Sequence, residues 1–256
     1  MTNDWSRSAR GAFANARKTE RFDATGLRLH RSMRFRRARG GEDAAAQAVR
    51  GTLFGDVPLD GWPVEEVAAD GFPWSAFVEA RTHAAAGAIE DASTCWQSVL
   101  ARPGLESRHY LQAWHFLREH GEDPPENIAQ EILGIVVEVG LPAGLDLLAV
   151  YADQSVRYYN HAGGGIVLER ADGEFAELIG ALLSAATDVV ARIGRWEDAR
   201  RGPPPRNHAR MSFLTPSGLH FGEGRIDVLE GDPLAGPVFR GATAVMTELL
   251  ATDTSR

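Results

Sequence analysis

The sequence predicts an α+β protein. A helical hairpin subdomain is followed by an antiparallel sheet (strand meander, helix, hairpin, helix) with its helices packed on one face. Three observations carry this. Apolar side chains recur at helical spacing across residues 74–121. Residues 134–168 hold short apolar runs joined by turns of a few residues, too short for parallel crossovers. One long helical stripe, a second pair of short runs and a closing helical stretch come after them. The chain divides into a basic arm over 1–40, a helical subdomain over 41–123 and an α+β sheet domain over 124–256, with 41–256 expected to form one compact unit.

Composition narrows the class. The 256 residues are 44% hydrophobic and 24% charged, with a net charge of −8, as in ordinary globular proteins. No stretch approaches the roughly 18 apolar residues that a membrane span needs; the run from Ile132 to Val139 is broken by Gly134 and Glu138. The single cysteine, Cys95, excludes an internal disulfide framework and any multi-cysteine zinc or iron–sulfur site. The charge is unevenly placed: residues 1–50 hold 12 basic and 5 acidic groups, and residues 51–256 hold 15 and 30.

The arm opens with a polar, Arg-dotted stretch over 1–26 that lacks the apolar core of a secretory signal, which points to a cytoplasmic protein. In 27–35, Leu27, Leu29, Met33 and Phe35 alternate with polar residues, a strand signal interrupted by Arg31. Such a strand presents a row of arginines: Arg28, Arg31, Arg34, Arg36, Arg37 and Arg39.

Residues 41–52 read as an Ala-rich helix, and 53–73 as a packed connector punctuated by Gly and Pro. Three helices follow. Phe77 and Val78 mark the first, Ala92, Cys95, Trp96 and Val99 the second, and Tyr110, Leu111, Trp114 and Leu117 the third, which Gly121 ends in the C′ position. The stripe makes Cys95 a buried thiol and the tryptophans core anchors. The spacing Ala80, Gly87, Ala92, Trp96, Pro103 resembles a tetratricopeptide-type hairpin over residues 74–121, with His83 where the family has an aromatic. In that family, small residues let two helices approach and a large aromatic fills the space between. One repeat and a half falls short of a binding array.

In the last part, a short helix is expected after Pro124-Pro125. Strands are expected at 134–139, 145–151, 155–160 and 166–168. Asp172 caps a helix whose stripe is Phe175, Leu178, Leu182, Ala186, Val189 and Ile193. A hairpin of 211–214 and 219–221 turns at Pro216 and Gly218, and a helix over 237–251 points Val238, Ala242 or Thr243, Val245 and Leu249 inward. In element order this resembles profilin-like and roadblock-like sensor or scaffold modules.

No G-x-S-x-G, H-E-x-x-H, Walker or dinucleotide signature appears, so no catalytic residue, cofactor or metal site is assigned. His109, His115 and His120 stand six and five residues apart, which is not the i, i+4 pairing of a helical zinc site. The densest polar cluster is Tyr151, Asp153, Ser155, Arg157 and Tyr159 on alternate positions, then Asn160 and His161, joined by the strand residue His220. It suits a small anionic or sugar-like ligand; the plainer reading is a solvent-facing hairpin, with His220 also facing solvent. The leading reading is therefore a non-enzymatic interaction or adaptor protein, possessing an Arg-rich arm that docks to a protein partner or sister subunit. A small-molecule enzyme or sensor using the Asp153–His161 face is the alternative. A nucleic-acid accessory protein acting through residues 27–39 is the third.

Overall fold

The computed structural model describes residues 49–62, 71–162 and 164–254. The arginines of the basic arm, Arg28 to Arg39, lie outside them. The described residues form two compact units: 49–129 with 216–218, and 130–215 with 219–254.

The first unit is helical. Residues 49–54 are helical, so the helix expected over 41–52 runs two residues further at its described end. A 3-10 turn, Leu59–Gly61, sits in the connector. Helices α1 (Trp74–Ala85), α2 (Ile89–Leu100) and α3 (Ser107–Glu119) follow, then one turn of helix, α4 (Glu126–Ala129). Helix α3 ends where the sequence places its stop. Gly121 has φ +83°. The Gly121 N–H donates to the Arg118 carbonyl and the Glu122 N–H to that of Leu117, at 3.1 and 2.9 Å, the paired closure that a left-handed residue permits.

Ala80 and Ala92 are fully buried where α1 and α2 meet, beside fully buried Trp96 and Phe116. The Trp96 and Phe116 rings lie 5.2 Å apart. Trp62, Trp74 and Trp114 are half-buried against this core. Besides Trp114, two stripe residues depart from expectation. Tyr110 is only half-buried, because its hydroxyl donates to the Arg102 carbonyl (2.7 Å) and accepts from the Leu105 N–H (3.1 Å), closing the preceding loop. Ala113 and Phe116 take the inward places beside Leu111 and Leu117. Cys95 is likewise half-buried, at the rim of the core.

The second unit is built on β1 (Gly134–Leu141), β2 (Gly144–Tyr151), β3 (Val156–Tyr159), β4 (Gly165–Leu168), β5 (His208–Thr215) and β6 (Gly218–Arg225). They form one six-stranded sheet in the order β4-β3-β2-β1-β5-β6. The meander pairs antiparallel strand by strand, and β5 returns to pair antiparallel with β1. Strands β5 and β6 outrun their apolar cores because flanking residues such as Arg210 and Glu223 continue the ladder. Helix α5 (Gly173–Val190) joins β4 to β5; α6 (Ile226–Gly231) and α7 (Ala235–Thr254) follow β6. The α6 turn, with Leu229 buried, was not expected. Asp172 occupies the N-cap position of α5, but its side chain makes no capping bond.

One face of the sheet carries the core. Val137, Val139, Leu148, Val150, Val156, Tyr158, Met211 and Phe213 pack with Ile179, Leu182 and Ala186 of α5 and Val238, Val245 and Leu249 of α7. The α5 stripe is shifted: Ile179 and Val190 are buried, Leu178 is half-buried, and Ile193 falls beyond the helix end. Each such side chain contributes about 1.5–3 kcal/mol when fully buried. Because side chains alternate, the opposite face carries Glu138, Ser155, Arg157, Arg210 and Ser212. All five are at most 3% exposed.

Candidate functional site

The polar cluster singled out in the sequence begins at the β2–β3 turn. Gln154 there has φ +71°, and the Asp153 carboxylate accepts the Ser155 N–H at 2.9 Å. Beyond it, Ser155, Arg157 and Tyr159 share the face away from the helices. The Arg157 guanidinium donates to the Ser155 hydroxyl (3.0 Å), lies 3.8 Å from Glu169, and sits 5.7 Å from the centre of the Tyr151 ring. Arg157 is 2% exposed, so this hairpin is not the solvent-facing one expected. Tyr159 is half-buried, its ring against Gly165, where a Cβ would meet Cδ1 at 2.7 Å.

The next residues serve the β3–β4 turn. The Asn160 side-chain oxygen accepts the N–H groups of Ala162 and Gly164. The backbone N–H and Nδ1 of His161 both meet Asp146 Oδ1, at 2.8 and 2.9 Å. Asp146, on β2 and fully buried, also accepts the Tyr158 hydroxyl at 2.7 Å. Burial and the Asp146 charge push the Tyr158 phenol well above its usual range. Asp146, Tyr158 and His161 thus form a buried clamp on the helix side of the sheet, with the imidazole 28% exposed at its edge.

His220 belongs elsewhere. It lies on β6, four strand spacings from β3, or about 19 Å at about 4.8 Å per strand. It is 2% exposed, not facing solvent. Its Nδ1 approaches the Ile193 carbonyl at 3.3 Å, and its Nε2 has no hydrogen-bond partner among the described residues. Burial pulls its pKa below the usual imidazole value. The candidate residues therefore divide between two faces and two ends of the sheet and do not line one pocket.

Two groupings escaped the sequence reading. One is the ionic cluster around Arg210. Its Nε and Nη2 donate to Glu223, at 2.8 and 2.5 Å. Its Nη1 donates to the Gly202 carbonyl at 2.7 Å and to Glu138 at 3.4 Å. The signal was Glu138 itself, an acid inside an otherwise apolar strand, which needs a cation opposite it. The other lies on the helical hairpin. Glu79 and His83 on α1 and Cys95 on α2 bring donor atoms within 4.8 Å of one another. Burial, then the Glu79 and Asp91 charges, push the Cys95 thiol pKa upward.

The same unit holds a cavity of about 30 Å³ lined by Trp62, Trp74, Phe77, His109 and Gln112 among others, room for about one water. The Gln112 amide bonds both backbone groups of Val57 there, at 2.9 and 3.0 Å. Among the described residues no helix is long and apolar enough to cross a membrane.

Fold and site together define an α+β protein whose six-stranded antiparallel sheet packs α5 and α7 on one face and on the other buries Glu138, Arg157 and Arg210 among apolar residues such as Val136, Ala149 and Tyr151. Comparison with family models, with curated proteins and with solved structures returned no match.

Proposed function

We propose that this chain is a non-enzymatic cytoplasmic interaction protein that docks through its Arg-rich N-terminal arm to a protein partner or to a second copy of itself. The observation that carries this reading is the charge division. Residues 1–50 have a net charge of +7 and the remaining 206 residues −15, a pattern that favours arm-to-body association. The internal hydrogen bonding of the polar cluster supports it. Asp153 Oδ1 and the Asn160 side-chain oxygen accept from their own turns, and the N–H and Nδ1 of His161 meet Asp146.

The test is capture from native lysate by the full-length protein and by a full-length variant with Arg34, Arg36, Arg37 and Arg39 replaced by Gln, each with and without nuclease. A defined protein, or the chain itself, retained by the parent, lost by the variant and insensitive to nuclease is the expected result. Equal retention by both forms refutes it. Retention that nuclease abolishes, with affinity falling steeply as salt rises, transfers the function to nucleic-acid binding.

One observation favours a second reading, ligand binding at the β3–β4 end. A half-exposed imidazole oriented by a buried carboxylate, as in Asp146–His161, is an arrangement that general bases use. Small-molecule screening by His161 chemical-shift changes separates it from the first.

A further inference from the structure

Among the described residues, most buried charges already have a use. Arg210 ties β5 to β6, and Asp146 clamps the β3–β4 turn. The group on the α1–α2 hairpin differs. His83 Nε2 stands 3.8 Å from Glu79 Oε1, and Nδ1 stands 3.9 Å from Asp91 Oδ2. Both distances are outside hydrogen-bond reach. One donor atom each from Glu79, His83 and Cys95 falls within a 4.8 Å group. These side chains face one another without a hydrogen bond, His83 standing at ion-pair distance from both carboxylates.

The placement follows from helix geometry. Glu79 and His83 are an i, i+4 pair on α1, and Asp91 and Cys95 an i, i+4 pair on α2, so each pair lies along one helix face. Packing the hairpin on Ala80, Ala92 and Trp96 turns those two faces toward each other at the rim of the core. The result joins a thiol, an imidazole and a carboxylate, with a second carboxylate beside the far ring nitrogen.

We propose that Glu79, His83 and Cys95 bind a zinc ion across the α1–α2 hairpin. Carboxylates alone would suit magnesium or calcium; thiolate with imidazole selects a borderline-soft ion. Tetrahedral zinc with bonds of about 2.0–2.3 Å sets its ligand atoms about 3.3–3.8 Å apart. The present spacing reaches this with small rotamer shifts, which the exposed Glu79 side chain and half-buried His83 allow. On binding, the thiol gives its proton to solvent. The Asp91 carboxylate, 3.9 Å from Nδ1, stands where a small shift would let it accept from the second imidazole nitrogen, the outer partner that metal-bound histidines commonly have. Three protein ligands leave the fourth position to water. The ion would cross-link the two helices independently of the docking arm.

Cobalt(II) titration of tag-free full-length protein tests this directly. Cys95 is the only cysteine in the chain, so thiolate-to-cobalt charge-transfer absorption reports on this site alone. The expected result is a band that saturates at one equivalent, is displaced by zinc and is absent in Cys95→Ser. Zinc affinity, measured against a chromophoric chelator, should fall at least 100-fold in His83→Gln and about 10–100-fold in Asp91→Asn. Circular dichroism checks that each variant is folded, and Glu79→Gln replaces any that is not. Absence of the band at one equivalent, or zinc affinity unchanged in His83→Gln, overturns the proposal.

Discussion

Replacing Arg210 by Met removes a guanidinium that joins three strands and a loop. It reaches Glu223 on β6 and Glu138 on β1, and the Gly202 carbonyl in the segment before β5. Glu138 is fully buried and Arg210 is 3% exposed. Taking the guanidinium away removes this cation from a fully buried carboxylate, a loss of about 3–5 kcal/mol in comparable buried pairs. With a urea slope of about 2 kcal/mol per molar for a unit of this size, the midpoint should fall by about 2 M, read by circular dichroism. A double-mutant cycle sharpens the test. Arg210→Met combined with Glu138→Leu removes both charges together, so its loss should be less than the sum of the single losses by about 1–3 kcal/mol. A loss below about 1 kcal/mol for Arg210→Met, with coupling near zero, would refute the view that this face depends on the pair.

Three further outcomes follow from the same geometry. Asp146→Ala removes the acceptor of three hydrogen bonds and should cost about 2–4 kcal/mol in thermal unfolding; a change under about 0.5 kcal/mol would deny the clamp. His220 is held neutral by burial, so its folded pKa lies below the unfolded value of about 6.5. In the interval between them the unfolded chain binds more protons, so stability should fall as pH drops below 6.5 and level off above it, and His220→Leu should flatten that slope in denaturation measured at several pH values. Gly140→Ala would press a methyl against the carbonyl oxygens of Pro205 and Pro204 and should cost about 1–3 kcal/mol, whereas Gly180→Ala, with open space at its Cβ, should be neutral or mildly stabilising by calorimetry.

Much of the fold was legible because each element announces itself locally. The short apolar runs of 134–168 with their tight turns and the stripe from Phe175 to Val189 depend only on neighbours a few residues away, and so does the Gly121 stop. The strand ends were harder to read. Arg210 and Glu223 extend β5 and β6 although neither looks like a strand residue, because each satisfies the other across the ladder. The candidate site was legible only in part. Alternation placed Ser155, Arg157 and Tyr159 on one face, as found. Nothing in the chain order said that His220 lies four strands away, since that distance is fixed by β5 pairing with β1 and not with β4.

The polar groups missed by the sequence reading share a cause. Glu138 and Arg210 are 72 residues apart, and the Cys95 thiol meets His83 only because two helices present particular faces to each other. Charge in an apolar run signals that a partner exists without naming it; the fold supplies the name. The two sets then part on geometry. Arg210 and Asp146 are held by bonds of 2.5–3.4 Å to their partners, so they stabilise the fold and leave little capacity for a ligand. Glu79, His83 and Asp91 stand 3.8–3.9 Å apart at a half-exposed rim, with side chains that are not yet committed to hydrogen bonds and so can turn toward an added ion. That difference in spacing makes the hairpin, and not the more heavily charged sheet face, the place to add a cation.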